Sequence, residues 1–210
     1  YNAIGDGKTD DTSAIQAAIY CAPKNSTIFF PKGESLVNHI FLKSDISIYL
    51  EEGVVIKQNL NRTSLAIAKG YQKNFDFTDS TMNSSWEGNP LDCYLPLIFG
   101  KGICNTTIYG LGIIDGNGEL SGFWQNPKSK NVAYRPKNIE FIDSNNITVC
   151  GLTSQNSASW NIHPFYCDDI FFYDLKINSN PDSPNTDGLN PESCNNVHII
   201  GCHFSVGDDC

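Results

Sequence analysis

The sequence predicts an all-β fold, a right-handed single-stranded parallel β-helix (a solenoid) with a short N-terminal capping α-helix. Three observations carry that reading. One amphipathic helical segment opens the chain and no second long one follows. The remainder is a series of short β-rich runs separated by Asn, Asp, Gly and Ser. Two of these stretches also align with one another at a fixed offset, the mark of a repeat architecture.

The elements can be taken in chain order. In GDGKTDDTSAIQAAIYCA, Asp10 or Asp11 can cap a helix whose apolar face is Ile15, Ala18 and Ile19. Gly7-Lys8-Thr9 resembles the end of a phosphate-binding loop, but that motif needs a glycine five residues before Gly7, where Asn2 stands. The runs STIFFPKG, SDISIYLEEGVVIKQ, NTTIYGLGIIDGNG, NIEFIDSNNITVCGLTSQN, DDIFFYDLKINSN and NVHIIGCHF follow. Strands without crossover helices argue against a doubly wound sheet. Residues 71–98 break the pattern with turn formers and aromatics, and read as a long loop that either walls a cleft or is a passive insertion. The whole of 1–210 reads as a single β-helix domain, with no linker-like shift in composition.

The repeat fixes the register. Laying residues 160–177 over 187–204 gives an offset of 187 − 160 = 27, with Pro164 on Pro191, Cys167 on Cys194, Ile170 on Val197 and Phe172 on Ile199. Ile147 precedes Ile170 by 170 − 147 = 23, with Val149 over Phe172. Stacked coils would place equivalent strands about 4.8 Å apart and form inward ladders such as Ile147/Ile170/Val197. An antiparallel sandwich predicts regular hairpins and no such alignment.

Composition narrows the function classes. A net charge of −9 argues against a nucleic-acid partner, which needs a basic face. No apolar run is long enough to span a membrane. Eight cysteines permit either disulfides or stacked free thiols, and both readings stand. A zinc site from Cys194, Cys202, His203 and Cys210 lacks a tight pair of ligands and is set aside. Sequons at Asn25, Asn61, Asn83, Asn105 and Asn146 favour a secreted protein slightly, with the cytoplasm left open.

A solenoid offers a long surface suited to a polymer, and two acidic clusters lie where one could be cut. Asp187 stands in Asn185-Thr186-Asp187-Gly188, and Asp208 and Asp209 in Gly207-Asp208-Asp209-Cys210. Asp209 follows Asp187 by 209 − 187 = 22 residues, about one coil, so the two should share a side. Asp208 would point the other way in a regular strand, so convergence of all three needs an irregular backbone, which Gly207 could allow. Three neighbouring carboxylates repel, and at least one pKa should rise. A protonated acid beside an ionised base is the pairing that glycosidic hydrolysis uses. His163, one coil before Asn190, is placed either to reach a substrate carboxylate or hydroxyl or to pack against Trp160. Trp160, one coil before Asp187, is placed to stack on a sugar or in the core. Arg135 reads as a weaker candidate cation with a surface role.

NTDG followed one coil later by GDDC resembles the signature of the polygalacturonases, glycoside hydrolase family 28. GDGKTDDTSAIQAAI, IYGLGIIDGNGE, RPKNIEFIDSNNITVCGLTSQNSASWNIHP and SPNTDGLNPESCNNVHIIGC extend the likeness over nearly the whole chain. SWNIHP and SPNTDGLNP are similar to its bacterial, exo-acting branch. The resemblance implies inverting hydrolysis of pectic polysaccharide or oligogalacturonide, without metal or other cofactor. Asp208 then matches the general acid, Asp187 and Asp209 the pair that positions and activates water, and Asn185 the asparagine beside the scissile subsite. The family also carries Gly-His-Gly and Arg-x-Lys segments after GDD, and neither occurs here. The resemblance therefore implies a chain truncated at its C-terminus and weakly active by itself. A pectate-lyase-type eliminase and a non-catalytic carbohydrate-binding β-helix are the competing readings.

Overall fold

The computed structural model describes residues 1–70, 84–130 and 132–210. It is a right-handed parallel β-helix. One sheet stacks Ser26–Phe30, Ile46–Leu50, Cys104–Gly110, Asn145–Cys150, Asp168–Tyr173 and Asn195–Ile200 in that order. A second stacks Asp6–Asp10, Gly33–Val37, Val54–Gln58, Ile113–Asp115, Thr153–Gln155, Lys176–Asn178 and His203–Ser205. A third holds Ile40–Phe41, Ile98–Lys101, Ile139–Ile142 and Ile162–Phe165, and Leu189 and Glu192 extend it by single bridges.

The opening helix runs Thr12–Cys21 and buries Ile15 and Ile19. Asp11 sits at its N-cap, where its carbonyl accepts from the Ile15 amide but its side chain makes no cap bond. Its carboxylate accepts instead from the amides of Ile4 and Gly5, tying down the chain start. Asp10 accepts from the Thr12 amide and hydroxyl.

Registers agree with the repeat. Ile147 pairs with Ile170 and Ile170 with Val197, while Val149, Phe172 and Ile199 form the next column. Corresponding columns are Ile56–Ile114–Ser154–Ile177–Phe204 in the second sheet and Ile40–Ile98–Ile139–Ile162–Leu189 in the third. With strand side chains alternating faces, one residue in two feeds the interior. Where the chain enters the strands of the first sheet, Asp45, Asn105, Asn146, Asp169 and Asn196 all take positive φ. Asn and Asp tolerate that conformation, and here they also bond from coil to coil: Asn105 to Asp45, Asn146 to Asn105 and Asn196 to Asp169. Two of the sequon asparagines, Asn105 and Asn146, are therefore rungs of this ladder.

Part of the predicted loop 71–98 falls at residues 71–83, outside the described residues. Within 84–98, Cys93–Tyr94 pairs antiparallel with Ile67–Ala68, and Ile98 starts a strand of the third sheet. All eight cysteines are free thiols. Cys167 and Cys194 occupy equivalent positions on neighbouring coils, and the Cys167 amide donates to the Cys194 sulfur at 3.4 Å. Among the described residues no helix is long and apolar enough to cross a membrane.

Candidate active site

The site grows from one outward column of the helix. Steps of 23, 27 and 22 residues carry Lys137 to Trp160, Asp187 and Asp209. The backbone agrees: the Asn161 amide donates to the Asp187 carbonyl at 2.9 Å, and the Gly188 amide to the Asp209 carbonyl at 2.8 Å. Asn161 also gives its side-chain amide to the Asp187 carbonyl at 3.0 Å. Gly188 is required for this stacking, because a Cβ there would lie 2.3 Å from the Cys210 carbonyl oxygen.

Asp187 is buried, with a relative exposure of 7%, whereas Asp208 and Asp209 are exposed. Asn190 donates to its Oδ2 at 2.8 Å, and its buried Oδ1 has no partner. Burial, aided by the charges of Asp208 and Asp209, pushes its carboxyl above the ordinary aspartate range despite the Asn190 bond. The charges of Asp208 and Asp209 therefore reach Asp187, with burial the larger cause of its shift. Gly207 contributes differently from the expectation. It does not take positive φ; it gives close passage, since a Cβ would lie 2.5 Å from the Ser183 carbonyl oxygen and 2.6 Å from that of Asn180. Asp208 and Asp209 lie beyond the last strand, His203–Ser205, and so escape strict alternation.

Asn185 stands at positive φ and donates its amide to Asp208 Oδ2 at 3.3 Å. Its Oδ1 accepts from Arg135 Nη2 at 2.6 Å. Arg135 is 4% exposed, which corrects the surface role expected of it. It also donates to the carbonyls of Ala158 and Pro184 at 2.8 and 2.7 Å, and its guanidinium lies 5.3 Å from the Trp86 ring. Burial lowers its pKa to about 10, with Asp187 and Glu87 acting in the opposite direction.

His163 does not reach the substrate side, and the substrate-contact reading is withdrawn. Its exposure is 0%. Nδ1 meets Glu140 Oε1 at 2.8 Å and Nε2 meets Glu192 Oε2 at 3.1 Å. Lys137 Nζ completes the set, 2.6 Å from Glu140 Oε1 and 2.8 Å from the Ser85 carbonyl oxygen. Ser85 Oγ donates to Glu192 at 3.0 Å, so the segment after residue 83 seals the network. Trp160 is sealed too, stacked on Trp86 with 5.8 Å between centroids and 4° between planes. It packs rather than offering a face to a sugar. Both side chains belong to an outward column, yet the 84–95 segment covers them. Among the described residues no set of three His, Cys, Asp or Glu side chains forms a metal site, and the zinc candidate does not assemble.

The sequence reading missed Asn190 as the partner of Asp187 and Arg135 as the partner of Asn185. Asn190 is three residues from Asp187, and Arg135 falls 23 + 27 residues before Asn185, so the coil register itself holds the signal.

Fold and site define a parallel β-helix bearing a cluster of aspartates on one outward face. A family model described as Glycosyl hydrolases family 28 matches residues 22–210, and the chain belongs to that family. It is 32% identical to a probable polygalacturonase of Vitis vinifera over 217 residues, covering 100% of this chain and 42% of the relative. Among solved structures it is similar in fold to a family 28 exopolygalacturonase of Yersinia enterocolitica, with a TM-score of 0.82, 22% identity and coverage of 100% of this chain and 42% of that one. An exopolygalacturonase of Thermotoga maritima gives 0.75 at 24% identity, over 98% and 51%. The chain therefore spans less than half the length of the curated relative it matches.

Proposed function

We propose that the native polypeptide hydrolyses α-1,4-galacturonosidic bonds of polygalacturonate or related pectic chains by inverting acid/base chemistry. Asp208 is the general acid, Asp187 and Asp209 position and activate the attacking water, and Asn185 flanks the scissile bond. One observation carries the reading: the coil register sets Asp187 against Asp209, while Asn185 reaches Asp208. The Asp187 carboxyl is raised first by burial, with the charges of Asp208 and Asp209 adding to it, which supports a site where carboxyls differ in protonation. Family membership and the names of the relatives support the substrate class. The phrases SWNIHP and SPNTDGLNP support the bacterial-type, exo-acting form, whereas the curated relative above is a plant protein.

An eliminase would need an accessible arginine base. Within residues 1–210 neither arginine is placed for that role: Arg135 is buried with Nη1 and Nη2 on carbonyls and Asn185, and Arg62 donates to the Ser121 carbonyl and lies over Phe123. The test is incubation with polygalacturonate, with and without calcium. New reducing ends without ultraviolet-absorbing product are expected. An unsaturated product would replace hydrolase with lyase, and sugar binding without cleavage would leave a binding module.

A further inference from the structure

We propose that Arg135 is a positioning residue for the Asp208 acid, acting through the Asn185 amide; this rests on the hydrolase reading above. The argument starts from donor chemistry. A guanidinium has five N–H donors and no acceptor. Whatever side of Asn185 faces Arg135 must therefore be its carbonyl oxygen, and the contact is 2.6 Å. With that oxygen held, the amide's NH₂ is the only group left to face Asp208, and it donates to Oδ2 at 3.3 Å. Oδ1 of Asp208 is then the oxygen left to carry the proton to a leaving group. Without Arg135 the amide has two orientations, one of which presents an oxygen to the acid and misorients the proton.

Arg135 itself is fixed from three sides. Nη1 donates to Ala158 and Pro184, the carbonyls of two successive coils. Trp86 covers the guanidinium and stacks in turn on Tyr134 and Trp160, with centroids 5.1 and 5.8 Å away. At 4% exposure, Arg135 does not grip a substrate carboxylate. The charged groups that act on it are Asp187 and Glu87. Lysine has a point ammonium in place of the planar fork and cannot reproduce the three contacts on two coils.

The test uses the native polypeptide as wild type, Arg135→Met, Arg135→Lys, Asn185→Ala and the double variant Arg135→Met/Asn185→Ala. On polygalacturonate, Arg135→Met should lower kcat by roughly 10–100-fold with KM within about twofold of wild type, and Arg135→Lys should fall between. In the Asn185→Ala background Arg135→Met should add almost nothing, because the two residues act as one unit. By NMR, the Asn185 side-chain amide should respond to pH through Asp208 in wild type and lose that response in Arg135→Met and Arg135→Lys. Additive losses in the double variant, a rise in KM alone, or an unaltered amide response would overturn the proposal. A wild type without hydrolytic activity would sink the hydrolase reading, and the amide response would still decide whether Arg135 orients Asn185. If Arg135→Met does not fold, Arg135→Lys carries the same comparisons.

Discussion

Asp187→Asn is expected to lower kcat on polygalacturonate by roughly 10²–10⁴-fold, the range lost when a positioned acid or base is removed. The same substitution should leave the protein equally or more stable at neutral pH. The two effects have one cause. Burial and the neighbouring Asp208 and Asp209 raise the Asp187 carboxyl above its ordinary value. The folded chain then binds the proton more tightly than the unfolded chain, so stability falls as pH rises from the ordinary aspartate value through the raised one. Above that window the ionised Asp187 is a liability, with one buried oxygen unpartnered, and a neutral amide removes it. Rate runs the other way, because a base must be ionised: it is lost as pH falls through the raised value. Melting temperatures at pH 7 and below pH 4 read the first effect, and the acid limb of the kcat profile reads the second. A variant with normal kcat, or one equally destabilised at both pH values, would contradict the assignment.

Lys137→Met should cost about 3–5 kcal/mol of stability, the usual result of removing one partner from a buried ion pair. Lys137 and Glu140 have side-chain exposures of 1% each. Burial alone would pull the ammonium down and push the carboxylate up. Lys137 and Glu140 outweigh that penalty for one another, and His163 adds to the effect on Glu140. Without the ammonium, Glu140 is left buried with only His163, and the Ser85 carbonyl keeps only the weak Cys93 thiol donor. The double variant Lys137→Met/Glu140→Gln should recover part of the loss, because it removes both charges. Glu140 and Glu192 have lowered folded values, so their stability is present above the ordinary glutamate range and is lost as pH falls through those values. Urea unfolding of both variants at neutral pH checks this. A loss under about 1 kcal/mol in Lys137→Met would mean that water or another group replaces the pair.

These two cases separate what could be read from sequence from what could not. The solenoid was legible because apolar ladders repeat by residue type: Ile147, Ile170 and Val197 align by eye and pair in the structure. The aspartate cluster was legible for the same reason, through the 22-residue step. The buried charges were not. Glu140 and His163 lie on outward positions of the third sheet, where alternation predicts solvent, and Lys137 stands just before its strand. They are buried because the segment from residue 84 folds over them; the sequence marks a loop at 71–98 but not the face it covers. Arg135 was misread as a surface cation for that reason, and His163 as a substrate contact. Both errors concern what covers a face, a tertiary property, while the register that places each residue on its coil was right.

The most direct measurement follows the anomer released from polygalacturonate by the native polypeptide, using proton NMR without calcium, in wild type and Asp208→Asn. Initial release of the inverted anomer, abolished by the substitution, is the expected result. Release of the retained anomer, or unchanged cleavage by Asp208→Asn, would contradict the assignment of Asp208 as the acid of an inverting hydrolase.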